Sequence, residues 1–375
     1  RPAQPAPVTS VPDLNTTKVS NRWYDIQFDP ARGTISSLYD RELGKELLTQ
    51  GAEWQLGEFI HETIDSRHHL EQYHAPVSKR MAPEKMRFEG YRPGSIWDTY
   101  TFVAETAAGR DADNLRIQYH IYNTEKKIGI VYRLRKKDNT DPESIYVSFP
   151  IEIENGKLMV DVPGGAIEAG VDQIPGSSND WYTVQDFVAA RNDSMQVIVV
   201  SPEIPLMQLG AINLGRYTAG ARPQSTNIYS WPMNNYWTTN FNADQMGEME
   251  WTYTISSSGN PSPEYAASKA RTQRIPPLCR VLPATAKGAK ESYEPRSILS
   301  VGPQNLLLIN MAPVEGENAI LLQLRETAGQ TADLTVNSTS AKIRGVKECD
   351  VTGTPLKNGS RHFAPLETKF IKINW

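Results

Sequence analysis

The 375-residue chain holds only two cysteines, Cys279 and Cys349. A disulfide scaffold is thereby excluded, and their separation matches no zinc knuckle; two buried free thiols and a single disulfide both stay open. No apolar run approaches the ~18 residues that a membrane span requires, and no apolar leader region follows the first residue. Neither sign of charge prevails, since 39 Lys and Arg stand against 43 Asp and Glu for a formal net charge of -4. The basic residues are scattered apart from a short run at Arg133, Arg135, Lys136 and Lys137. A footprint for nucleic acid or an anionic membrane is excluded on that ground. Missing too are G-x-G-x-x-G, the P-loop, the G-x-S-x-G elbow and H-E-x-x-H, so dinucleotide, nucleotide and serine-hydrolase chemistry lack their usual signatures.

What is present is strand periodicity. In "WYDIQF" Tyr24, Ile26 and Phe28 share a face; in "LRIQYHIY" Leu115, Ile117, Tyr119 and Ile121 do; in "IYVSFPI" Ile145, Val147, Phe149 and Ile151 do. Successive side chains alternate across a strand, so each segment buries one face and wets the other. "IGIVYRL", "QVIVV", "WTYTI", "AILLQL" and "KFIKINW" follow the same rule, punctuated by 25 Gly and 26 Pro. The pattern predicts an all-β, antiparallel chain built of sandwiches. Helical signals are few. The best is "SPEYAASKAR", where Ser262 caps, Pro263 suits the first helical position, Glu264 complements the dipole, and "IPPL" stops the run.

The length exceeds the ~250–300 residues at which one core stops growing, which predicts two domains. Residues 1–20, opening with "RPAQPAPVTSVPD", read as a Pro-rich linker, 21–280 as a large β-sandwich, 281–298 as a connection and 299–375 as a small C-terminal β domain. A start at Arg1 rather than Met suits a piece of something longer, with a periplasmic or extracellular location preferred.

Three constellations bear on chemistry. His61, His68, His69 and His74 fall within "HETIDSRHHLEQYH" beside Glu62, Asp65 and Glu71. These are zinc-type ligands, but the spacing would not aim several at one point, and a polar surface loop is the simpler expectation. Asp172, Asp180 and Asp186 flank "DQIPGSSNDWYTVQD", which also holds Trp181; glycoside hydrolysis needs two carboxylates, yet turn aspartates explain this stretch more simply. The third is "WPMNNYWTTNFNADQ", residues 231–245, rich in rings and amides and without a basic residue. Amides offer donor and acceptor together to paired sugar hydroxyls, and flat rings cover the apolar side of a pyranose. Asn234, Asn235, Trp237, Thr239, Asn240 and Gln245 would suit such a surface, and Asp172 and Trp181 join them as candidate substrate-binding residues. The competing expectation is a buried polar network that pins a loop, with the tryptophans in the core.

"YSWPMNNYWTTNFNADQMGEMEWTYTI" resembles the asparagine-rich signature in the C-terminal β region of family 38 glycoside hydrolases, the α-mannosidases. "NRWYDIQFDPARGTISSLYDRELGKELL" is similar to the opening of that region, "DQIPGSSNDWYTVQDFV" to its middle and "LLQLRETAG" to its terminal β module. The resemblance implies a large galactose-mutarotase-like β-sandwich followed by a small β domain. It also implies that zinc and the catalytic aspartate belong to a preceding α/β barrel domain, with which this region packs. In that barrel a His-x-Asp motif supplies the first zinc ligands, and no histidine here is followed two positions later by Asp. The expectation is a non-catalytic portion that supports a sugar site, inactive alone, with no cofactor or catalytic residue of its own. A free-standing module for mannose-containing glycans is the alternative. Third comes a mutarotase-like isomerase, which would need a general acid and base in one cleft, and His120 has no motif partner for that role.

Overall fold

A computed structural model of the chain describes residues 12–15, 18–214, 220–237, 242–275, 277–279, 297–339 and 342–375. The first elements are β1 (Val19–Ser20), β2 (Tyr24–Asp29), β3 (Thr34–Asp40), β4 (Lys45–Glu46), β5 (Phe59–Ile64), α1 (Arg67–Glu71), β6 (Ser78–Met81), β7 (Glu84–Arg92), β8 (Trp97–Glu105), β9 (Leu115–Tyr122) and β10 (Ile128–Lys136). There follow β11 (Glu143–Phe149), β12 (Lys157–Val162), β13 (Gly165–Glu168), β14 (Tyr182–Thr183), β15 (Phe187–Arg191), β16 (Gln196–Val200), β17 (Leu206–Leu209), β18 (Ile228–Asn234) and β19 (Gly247–Ser258). The chain closes with α2 (Pro263–Arg274), β20 (Leu299–Gly302), β21 (Leu306–Pro313), β22 (Ala319–Glu326), β23 (Ala332–Asp333), β24 (Thr335–Ser338), β25 (Gly345–Cys349), β26 (His362–Phe363) and β27 (Thr368–Asn374). Strand pairings of described register are antiparallel throughout. The chain is all-β, as the periodicity predicts.

Described residues up to Val162 and from Ile167 to Pro261 form one compact unit; Pro163–Ala166 and those from Ser262 onward form the other. A nine-stranded sheet, β13-β12-β15-β16-β19-β10-β9-β8-β7, which belongs to the first unit except for Gly165 and Ala166 of β13, faces a six-stranded sheet, β14-β17-β18-β11-β5-β6, and a four-stranded one, β1-β2-β3-β4. One apolar core joins all three, drawing Phe28 and Leu38 from the smallest sheet, Tyr119, Tyr132, Val197 and Tyr253 from the largest, and Phe59, Val147 and Phe149 from the third. This is a β-sandwich, and the alternation accounts for it. Tyr24, Ile26 and Phe28 are buried between half-buried neighbours, and Leu115, Ile117, Tyr119 and Ile121 repeat the pattern.

The core rings carry hydroxyls, and these stitch the layers together. Tyr119 donates to the Gly33 carbonyl at 2.9 Å, Tyr132 to the Gly57 carbonyl at 2.5 Å and Tyr253 to Ser230 Oγ at 2.8 Å. Gly57 is required where it stands. Its φ is +78°, and a Cβ there would lie 2.5 Å from the Tyr119 hydroxyl, so an L side chain meets backbone strain and a clash together.

The strand and cysteine expectations are corrected by burial. All seven residues of β11 are buried, so this strand has no wet face; Ser144, Tyr146 and Ser148, on the side away from the main core, lie under a second cluster. All five residues of β16 are buried as well. Within residues 1–20, Leu14 is buried in the core and β1 pairs with β2, while residues 1–11, 16 and 17 lie outside the described residues. Of the 281–298 connection, only 297 and 298 are described. Both cysteines are free, Cys349 buried but Cys279 exposed.

In the second unit β21-β22-β27-β25 form a sheet over a core that includes Leu322, Leu324, Phe363 and Ile371. Its α2 starts as the sequence predicts: the Ser262 side chain accepts from the Tyr265 N–H, Pro263 comes first and Glu264 lies in the first turn. The buried Glu326 carboxylate accepts from the backbone N–H groups of Ala328, Gly329, Gln330 and Leu366 and from Asn305 Nδ2. One side chain thus clamps three segments of that unit.

Candidate functional site

The side of the six-stranded sheet turned away from the main core carries a separate aromatic cluster, Tyr146, Trp231 and Tyr236 with Trp181 and Trp237 packed against them. Register puts Ser144 opposite both Glu62 and Asn234, and Tyr146 opposite Ile60. A bulge between Ile145 and Val147 lets β18 shift against β11 there. Tyr146 and Trp231 stack with centroids 5.7 Å apart and planes 10° from parallel. The Trp231 indole N–H donates to Ser144 Oγ, whose hydroxyl donates onward to the Met233 carbonyl at 2.9 Å. Above them lie Trp181 and Trp237, both half-buried, with centroids 5.4 Å apart. Trp181 contacts Trp231 edge-on at 6.0 Å, and Trp237 reaches both Trp231 and Tyr236 at 6.2 Å. Two candidates from distant segments, Trp181 and Trp237, are thus brought together.

A buried carboxylate anchors this face. Glu62 is 1% exposed. Its Oε1 accepts from the Tyr236 hydroxyl at 2.8 Å and the Tyr146 hydroxyl at 3.2 Å, and its Oε2 accepts from Arg80 Nε at 2.6 Å. Arg80 is its cross-strand partner on β6. Burial pushes both phenols far above their ordinary range, and the nearby Glu62 charge adds to this, so they remain protonated donors. With three donors and almost no exposure, Glu62 cannot reach a substrate as acid or base. The face offers aromatic surface backed by a rigid network and carries no paired catalytic carboxylates among the described residues. Sequence reasoning missed Tyr146, Trp231, Tyr236 and Arg80. The available signal was Tyr146, a large ring at a nominally wet position of β11.

The amide-rich stretch divides residue by residue. Asn235 is 3% exposed. Its Oδ1 accepts from the Glu143 N–H at 2.7 Å, and its Nδ2 donates toward the carbonyls of Asn139, Asp141 and Ala243 at 3.1, 2.9 and 3.1 Å. That amide ties β18 to two loops and has no hydrogen left for a sugar hydroxyl. Arg67 adds to the same knot by donating to the Asn235 carbonyl from Nε and Nη2, both at 3.1 Å. Asn234 is half-buried, Gln245 is exposed, and Thr239 and Asn240 lie outside the described residues. Asp172 is an exposed turn residue whose Oδ2 accepts from the Glu168 N–H at 2.7 Å. Asp180 and Asp186 are buried rather than solvated turn residues, a correction to the turn expectation.

The histidines do not converge. His61 and Glu62 are neighbours on β5, so their side chains take opposite faces. His61 Nε2 meets Glu143 Oε2 at 2.8 Å inside the sandwich, where Glu143 also pairs with Lys136 at 2.5 Å. Burial opposes the charge on Glu143, but the His61 and Lys136 contacts outweigh it and lower its pKa. His68 and His69 lie on α1 facing Glu71 and Asp65, and His74 is exposed. Among the described residues no group of three or more His, Cys, Asp or Glu could hold a metal. The buried His61 Nδ1 lacks a hydrogen-bond partner, but one orphan nitrogen does not make a zinc site. The described residues do not fit the metal that the resemblance assigns to a preceding domain.

With this geometry in hand, the chain is similar to an α-mannosidase from Enterococcus faecalis V583, with a TM-score of 0.69 and 11% identity over 96% of this chain and 42% of that one. It is equally similar to a protein in glycosyl hydrolase family 38 from Enterococcus faecalis, with a TM-score of 0.68 and 12% identity over 96% of this chain and 44% of that one. The likeness is one of fold. This chain spans less than half the length of either structure. No family model matches the sequence, and no curated protein matches it.

Proposed function

We propose that the chain is the C-terminal, non-catalytic β portion of an α-mannosidase-like glycoside hydrolase. In this reading a preceding α/β barrel domain holds zinc and performs hydrolysis, and the β portion supports its sugar site. The observation that carries the reading is coverage: 96% of the chain superposes on under half of each α-mannosidase-type structure. Chemistry supports it from the other side, because the aromatic face has a rigid scaffold and shows no acid–base pair among its described residues. Trp181 and Trp237 are the residues we assign to the supporting surface, with Asn234 and Gln245 at its margin. Asn235 acts on that surface only by holding the loop in place.

The test is hydrolysis of an aryl α-mannoside by the isolated chain with zinc supplied, with and without chelator, on protein shown to be folded by a cooperative thermal transition. No turnover above buffer is expected. Chelator-sensitive turnover would overturn the reading by showing a metal centre within this chain. The half-exposed Trp181 and Trp237 rings also suit a second reading, a free-standing module for mannose-containing glycans. Saturable binding of methyl α-mannoside that is lost in Trp237→Ala would favour that module.

A further inference from the structure

The other outer surface of the first unit, on the nine-stranded sheet, carries a second aromatic group that the proposed function does not use. Trp97 lies opposite Tyr122, and Thr99 opposite His120, which in turn faces Gly129. All point away from the core, since Tyr100, Tyr119 and Ile121 between them point into it. Trp97 stacks on His120 with centroids 5.3 Å apart and planes 26° from parallel, and touches the Tyr122 ring at 5.1 Å. Lys127 lies over Tyr122 at 3.8 Å and is itself neutralised by Glu125.

A shallow cavity of about 320 Å³ opens beside this platform, lined by Arg92, Pro93, Ile96, Trp97 and Thr99 among others. That is near the lower end of small-ligand pockets. Its rim is rigid, because Asp98 accepts from the Gly94 N–H at 2.9 Å and Asn123 Nδ2 donates to the Gly94 carbonyl at 3.1 Å.

Charge distinguishes this cavity from its surroundings. On β7 to β10, Arg87 pairs with Asp113, Arg116 with Glu89 and Arg133 with Glu250, and Arg135 donates to backbone carbonyls. The Arg92 side chain, on a residue paired in register with Thr99, makes no hydrogen bond or ion pair among the described residues. It is the one arginine of these four strands left with its fork open. A cavity on the opposite side of the same hairpin makes the contrast, since there Asn21 and Asp98 spend their side chains on backbone and neighbouring groups.

We propose that this cavity binds an acidic pyranose, a uronic-acid residue of a glycan, with the ring over Trp97, the carboxylate on Arg92 and a hydroxyl on the His120 imidazole. The parts fit the ligand one by one. A planar indole covers the apolar side of a sugar ring, a free guanidinium matches a carboxylate through two parallel bonds, and an imidazole serves one hydroxyl as donor or acceptor. Exposed Ile96 extends the apolar floor.

The experiment follows the indole N–H resonances of the whole chain, with the Trp97 signal assigned by its loss in Trp97→Phe. Methyl β-D-glucuronide is titrated against methyl β-D-glucoside, which lacks the charge, and sodium acetate, which lacks the ring. A saturable shift of the Trp97 signal by the glucuronide alone is expected, and Arg92→Gln should weaken it about tenfold or more, the worth of a charge-assisted bond. Arg92 is exposed, so that variant keeps its thermal midpoint. An equal response to the glucoside would overturn the role of Arg92. An equal response to acetate would reduce the cavity to a bare anion contact and overturn the sugar assignment. No shift at about 100 mM glucuronide, or full binding in Arg92→Gln, would overturn the proposal outright.

Discussion

Replacing Asn235 by alanine tests whether the amide-rich stretch is a knot or a binding surface. The side chain serves four backbone groups while 3% exposed: one N–H, of Glu143, and three carbonyls. Truncation orphans the buried N–H, at about 1–3 kcal/mol, and removes donors from carbonyls worth about 0.5–1.5 kcal/mol each. The loops relax and water reaches some of these groups, so the terms do not add fully. An expected loss is about 2–4 kcal/mol, in the upper range for single substitutions. Asn235→Asp sharpens the test, because it keeps the acceptor for Glu143 and turns an oxygen toward three carbonyls. It should cost at least as much at neutral pH. Asn234→Ala, one residue earlier and half-buried without a side-chain hydrogen bond among the described residues, should stay within about 0.5 kcal/mol. Urea unfolding followed by tryptophan fluorescence reads the right unit, since seven of the eight tryptophans lie in it. An Asn235→Ala midpoint indistinguishable from the parent, or an Asn235→Asp variant of parental stability, would refute the knot.

Two further outcomes follow from the core and from the second unit. Gly57→Ala should destabilise the first unit by about 2 kcal/mol or more, through positive φ and the Tyr119 hydroxyl; a thermal midpoint within a degree of the parent would contradict this. Burial works to raise the Glu326 pKa, but the N–H donors from Leu366, Ala328 and Gln330, with Asn305, outweigh it and hold the carboxyl below its ordinary value. A carboxyl depressed in the folded state stabilises above its unfolded pKa, and that contribution is lost as pH falls through the folded one. The second unit should therefore weaken as the medium is acidified below about pH 4. In Glu326→Gln that acid-dependent loss should shrink, with a stability cost of about 2 kcal/mol at pH 7. Unchanged acid sensitivity in the variant would refute the assignment.

Much of the fold is legible in the sequence because strand periodicity is local. Tyr24, Ile26 and Phe28 face inward for the same reason that Leu115, Ile117 and Tyr119 do. The α2 start is equally local, since Ser262, Pro263 and Glu264 act within one turn. The site is legible only in part. Composition marks residues 231–245 as unusual, but it cannot say that Asn235 is spent on backbone while Asn234 beside it is not. Nor can it show that Trp181 meets Trp237 across 56 positions.

What the sequence by itself determined is the class of element at each segment, where helix α2 begins, and the absence of nucleotide and serine-hydrolase motifs. Each rests on residues within a few positions of one another. What only the tertiary structure decided is which faces are doubly covered, as in β11, and which polar groups are used up. It separated His61 from His68 and His69, turned Glu62 into the anchor of an aromatic face, and left Arg92 alone among its neighbours with an open guanidinium. Those outcomes depend on register and on layers packed across long separations, where a one-residue shift sends a side chain to the opposite face of its sheet.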